Sequence, residues 1–123
     1  QLRYNFWILL IMVSHIACPN VTGDNTPATL SKELITDVLR NDMGFDGMVI
    51  TDALNMGAVT QQYSSAQAAV AALDAGADML LMPEDFKAAY QGVLDAVNNG
   101  TISEERINES VRRILEIKVG MQI

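Results

Sequence analysis

A chain of 123 residues, half of them hydrophobic and 19% charged, has a globular composition and the length of one small domain or a piece of a larger one. Its 8 Lys and Arg against 15 Asp and Glu, a formal net charge of -7, argue against nucleic acid as a partner, because phosphate binding needs clustered cations. The single cysteine, Cys18, excludes an internal disulfide framework, and Cys18, His15 and the scattered acids lack the spacing of a zinc site.

In chain order, residues 6–13 form an unbroken apolar run behind Arg3, superficially like a short signal sequence. Eight apolar residues are too few to span a bilayer and no small-x-small cleavage site follows. Residues 8–14 are therefore expected to be a buried parallel strand ending in Ser14-His15, after an atypical start over residues 1–10. No membrane partner is expected, and the run selects neither a cytoplasmic nor a secreted location. Residues 19–27 are rich in turn formers and predict a polar loop. Ser31 is placed to cap a helix over residues 32–42, with Leu34, Ile35, Val38 and Leu39 on its apolar face and Gly44 closing it. A second strand, residues 47–51, carries β-branched Val49 and Ile50 and runs into Asp52. Ser64-x-x-Gln67 has the form of a capping box and opens a helix over residues 65–75, with Ala69, Val70 and Leu73 inward and Gly76 at its end. A third strand, residues 78–82, is stopped by Pro83. Helices over residues 86–98 and 103–118 follow. The last is expected to bury Ile107, Val111, Ile114 and Leu115 and to solvate Glu104, Glu105, Arg112 and Arg113.

The order βαβαβα plus one helix predicts an α/β fold with a parallel sheet covered on both faces. Either a doubly wound sheet or part of a (β/α)8 barrel fits it. No Gly-rich dinucleotide fingerprint or phosphate loop follows any strand. In both architectures ligands gather at the carboxyl ends of strands, where Asp52 lies. There a carboxylate serves as nucleophile, base or metal ligand, or it merely caps a turn. Three tripeptides, at Asn20, Asn99 and Asn108, match the glycosylation pattern, which is common by chance.

The run Leu39-Arg40-x-x-Met43-Gly44-Phe45-Asp46-Gly47-Met48-Val49-Ile50-Thr51-Asp52-Ala53-Leu54-Asn55-Met56 resembles glycoside hydrolase family 3. Met12-Val13-Ser14-His15, Pro27-Ala28-Thr29-Leu30-Ser31, the segment of residues 75–83 and the closing Ser110-Val111-Arg112-Arg113-Ile114-Leu115 continue the match in order, over roughly residues 11–118. The His15 and Asn55-Met56 forms are more similar to the β-N-acetylhexosaminidase branch than to the β-glucosidases. The resemblance implies that the chain is a partial catalytic domain, the last three βα units of an open (β/α)8 TIM barrel. It implies that Asp52 is the nucleophile of a retaining glycosidase acting on N-acetylglucosaminides, with a β-glucosidase, or a non-catalytic fragment associating with another barrel half, as alternatives. His15, Asn55 and Met56 are the expected substrate-binding residues, though His15 is equally a structural histidine by position. Glu84 and Asp85 suit a helix N-terminus as well as a sugar. No metal or cofactor is implied, because this chemistry needs neither. The acid/base pair and the sugar-holding Lys-His and arginines of that branch precede the stretch matched. A barrel typically takes about 250 residues, so the chain alone is expected to be inactive and prone to self-association through its open edges.

Overall fold

The computed structural model describes residues 8–120. The expected atypical start therefore falls largely on residues that lie outside the described ones. Strand β1, Leu10–Val13, pairs in parallel with β2, Met48–Thr51, in the register Leu10 to Met48 through Val13 to Thr51. Between them come a one-turn helix α1, Pro19–Thr22, a 3-10 turn, Ala28–Leu30, and a ten-residue helix α2, Glu33–Asp42. After β2 follow the short α3, Gly57–Thr60, then α4, Ser65–Ala75, α5, Phe86–Asn98, and α6, Glu104–Gly120. The fold is mixed α/β with parallel strand pairing.

Local sequence explains most of these boundaries. The Leu34 N–H donates to Ser31 Oγ at 3.2 Å, so Ser31 satisfies a free donor at the start of α2. At α4 the capping box is complete: Gln67 N–H donates to Ser64 Oγ, and Ser64 N–H donates to the Gln67 side-chain carbonyl. Gly76 closes α4 at φ 118, where a Cβ would sit 2.7 Å from Thr36 Oγ1 and 2.9 Å from Ile35 Cγ2. Glycine there permits both the left-handed turn and the approach of α2. A Cβ on Gly92 would lie 2.6 Å from that of Ala66, so α5 lies close against α4 there.

The core has three connected parts. Leu30, Ile35, Val49, Ala72, Ala75 and Ala77 form the first, Leu54, Val59 and Ala68 the second, and Leu73, Ala96 and Ile102 the third. Leu80 packs against all three. Burying a side chain such as Ile35 or Val49 stabilises the fold by about 1.5–3 kcal/mol.

Four expectations are corrected. Strand β1 is not buried: Leu10 and Met12, two residues apart and so on one face of the sheet, are exposed because no element of the described residues covers that face of β1. The loop of residues 19–27 contains α1, which starts on Pro19 and ends on Gly23 at φ 79. The third strand is reduced to a single parallel bridge, Ile50 to Met79. Its ladder stops because Leu81 N–H donates to the Thr51 hydroxyl at 2.9 Å rather than to a backbone carbonyl, and Met82 then turns the chain at φ 47. Finally, α6 is rotated from its expected face. Val111 and Leu115 are exposed, whereas Ser110 is buried and the Arg113 side chain is only 11% exposed. The buried Asp78 carboxylate accounts for the rotation, since leaving it unpaired costs more than exposing two aliphatic side chains.

Candidate active site

Asp52 follows β2 directly, and the ends of three segments are tied together around it. Its own N–H donates to the Val13 carbonyl at the end of β1 at 2.9 Å. Thr51 N–H donates to Met79 and Leu54 N–H to Leu81, joining β2 to the third segment. The carboxylate of the half-buried Asp52 accepts one hydrogen bond among the described residues, from Ala53 N–H to Oδ1 at 2.7 Å. Among the described residues it makes no ion pair. One oxygen is thus held by the backbone, and the other has no hydrogen-bond partner among the described residues.

His15 lies on the same side, half-buried, and both ring nitrogens are occupied. Nε2 lies 2.8 Å from the Ala53 carbonyl oxygen, an acceptor only, so Nε2 carries the hydrogen and donates. Nδ1 lies 2.8 Å from Thr29 Oγ1. Thr29 is fully buried, and its hydroxyl oxygen also lies 2.8 Å from the Ser14 carbonyl and 3.2 Å from the Val13 carbonyl, so its single hydrogen serves one of these oxygens or Nδ1. Asn55 and Met56 are exposed on the loop after Asp52. The structure therefore brings His15 to the Asp52 loop through Ala53 and leaves Asn55 and Met56 at its rim.

Asp85 plays a structural part, since its carboxylate accepts from Ala88 N–H and caps α5. Among the described residues no three His, Cys, Asp or Glu side chains are grouped to hold a metal ion. No helix there is long and apolar enough to cross a membrane. Sequence reasoning missed Thr29, whose hydroxyl seats the His15 ring. A Thr two residues after Pro27 carries no local signal of a partner 14 residues away.

It also missed the second polar cluster, at the opposite ends of the strands. Asp78 is buried and accepts hydrogen bonds from Val49 N–H, Ser110, Arg40 and Arg113, with Arg106 at 3.7 Å. Burial by itself raises the Asp78 pKa, but the hydrogen bonds from Ser110 and Val49 and the guanidiniums of Arg40 and Arg113 outweigh it and hold the carboxyl below its ordinary range. Burial also lowers the pKa values of Arg40 and Arg106, against the pull of Asp78. A signal did exist: Arg106, Ser110 and Arg113 recur at spacings of four and three, one face of a helix.

Comparison with known proteins fits this geometry. Residues 7–117 match the model of the glycosyl hydrolase family 3 N terminal domain. A β-N-acetylglucosaminidase/β-glucosidase of Cellulomonas fimi is 29% identical over 120 residues, 90% of this chain and 21% of that protein. β-Glucosidase C of Emericella nidulans is 36% identical over 106 residues, 73% of this chain and 16% of the relative. The solved family 3 β-N-acetylglucosaminidase of Paenibacillus sp. strain FPU-7 superposes with a TM-score of 0.87 at 43% identity, covering 91% of this chain and 22% of that one. The chain thus spans about a fifth of the length of the relatives it matches. It belongs to glycoside hydrolase family 3, whose N terminal domain residues 7–117 match.

Proposed function

We propose that the chain forms the last three βα units of a (β/α)8 barrel and supplies the nucleophile, Asp52, of an intact retaining β-N-acetylglucosaminidase. The observation that carries this is the Asp52 carboxylate itself, fixed by backbone at a strand end with one oxygen unbonded among the described residues. In the first step that oxygen bonds to the anomeric carbon while the bond to the leaving oxygen breaks. The departing oxygen takes a proton from an acid outside this chain. Water then attacks the same carbon, loses its proton to the same group acting as base, and releases the sugar and the Asp52 carboxylate. Asn55 and Met56 border the sugar in this proposal, and His15 stands behind the Asp52 loop, bonded to Ala53. Preference for the 2-acetamido sugar rests on the 43% identity to the Paenibacillus β-N-acetylglucosaminidase. β-Glucosidase activity is the second reading, supported by the relative of that name in Emericella nidulans.

Hydrolysis of aryl N-acetyl-β-glucosaminide and aryl β-glucoside by the intact enzyme, with Asp52→Asn beside it, tests both readings. Faster turnover of the first glycoside, lost in the variant, is expected. Near-normal turnover by Asp52→Asn would exclude Asp52 as nucleophile, and preference for the glucoside would select the second specificity. The isolated chain is expected to be inactive and to self-associate through β1, whose Leu10 and Met12 are exposed on an edge with no partner strand among the described residues. Sedimentation showing a monodisperse monomer with a cooperative melt would overturn the open-barrel proposal.

A further inference from the structure

We infer that His15 is a positioning residue for the Asp52 carboxylate and acts through the Ala53–Leu54 peptide. The catalytic consequence rests on the glycosidase proposal above, whereas the hydrogen-bond geometry stands independently of it. Residue Ala53 holds the Asp52 carboxylate through its N–H, at 2.7 Å from Oδ1. Its own carbonyl accepts from His15 Nε2–H at 2.8 Å. The next N–H, of Leu54, donates to the Leu81 carbonyl at 2.9 Å. The peptide unit after Ala53 is thus clamped on its oxygen side by the end of β1 and on its nitrogen side by the third segment. A clamped Ala53 keeps its N–H aimed at Asp52 Oδ1. The clamp is itself seated, because Nδ1 lies 2.8 Å from the fully buried Thr29 hydroxyl, which reaches the Ser14 carbonyl.

With both nitrogens committed, His15 has no ring nitrogen left to bond a sugar hydroxyl or to move a proton in the reaction. Its contribution is to orientation, and orientation affects the bond-forming step more than ground-state binding. Removing the clamp leaves the Ala53 carbonyl without its donor and frees the loop that aims the carboxylate.

Two measurements test this. Nitrogen-15 NMR of the intact enzyme should show His15 protonated at Nε2. The tautomer with hydrogen on Nδ1 alone overturns the inference, whatever the enzyme does. In the intact enzyme, His15→Leu should lower kcat about 100-fold, the cost of a small misplacement of a reacting group, with KM nearly unchanged. His15→Gln, whose amide reaches the position of Nε2, should restore most of that loss. Thr29→Val should lower kcat less than His15→Leu and in the same sense. A direct sugar contact predicts instead that His15→Leu raises KM and leaves kcat intact. A purely steric role predicts that His15→Gln is as impaired as His15→Leu. Either result overturns the inference. Asp52→Asn in the same assays separates the two proposals, since turnover surviving in that variant removes the nucleophile assignment and leaves the NMR result to decide the clamp.

Discussion

Two aspartates sit at opposite ends of the same parallel strands and have opposite surroundings. Asp78, at the amino end of the third segment, has a side chain with no solvent exposure, and hydrogen bonds from Val49, Ser110, Arg40 and Arg113 fill its two oxygens. Asp52, at the carboxyl end of β2, is half-buried and among the described residues accepts one backbone hydrogen bond. A carboxylate whose bonding capacity is full fixes structure, because the partners that stabilise it also hold it still. A carboxylate that is fixed but unfilled retains a free lone pair for chemistry. Residue type is the same; the neighbours decide the role.

The sharpest way to break this contrast is to neutralise each aspartate in turn. Asp52→Asn should reduce turnover of the intact enzyme by several orders of magnitude, as loss of a covalent nucleophile does, with its melting transition nearly unchanged. Asp78→Asn should do the reverse. It strands the guanidiniums of Arg40, Arg106 and Arg113 around a neutral group, and breaking such a buried pair costs about 3–5 kcal/mol. Urea unfolding reads that loss directly. If Asp78→Asn were as stable as the parent, the cluster would not be a structural device.

The two ends were not equally legible in the sequence. Asp52 could be placed because a β-branched strand, Val49 and Ile50, runs straight into it, and strand ends need no distant information. The capping box at Ser64 and Gln67 was equally local, and α4 spans the expected residues. Asp78 was read only as the start of a strand, since its partners come from residues 29 to 38 positions away. The rotation of α6 was lost for the same reason. Its aliphatic residues and its arginines offered two competing faces, and the choice fell to a buried carboxylate elsewhere in the chain. His15 was found, but its connection to Ala53 across 38 residues was not. Local pattern thus located elements and strand ends, while long-range polar pairing stayed hidden.

Acidification sharpens the contrast further. The Asp78 carboxyl is held below its ordinary range, so its stabilisation is fully present above the unfolded aspartate pKa of about 3.9. As pH falls through the lower native value, that stabilisation is lost. The chain should therefore lose stability progressively below about pH 4. A denaturant midpoint that stays constant down to about pH 2 would show that Asp78 does not govern the acid limb.

The smallest effect is the most specific. Ser110 donates to Asp78 at 2.7 Å and accepts from Arg106 at 2.6 Å, so it joins the carboxylate to the cation that lies farthest from it. Ser110→Ala should cost about 1.5–3 kcal/mol, the range for a hydrogen bond to a charged group. The variant should also move the acid limb. Without the Ser110 hydrogen bond the native Asp78 carboxyl is held down less firmly, its value rises toward that of the unfolded chain, and stability is lost at a higher pH than in the parent. Turnover by the intact enzyme should not change, because the hydroxyl lies at the opposite end of the strands from Asp52. An acid limb that stays in place while stability falls would mean that Ser110 acts by packing alone. A fall in turnover with stability intact would mean that the two ends are coupled, which the separate hydrogen-bond sets of Asp52 and Asp78 argue against.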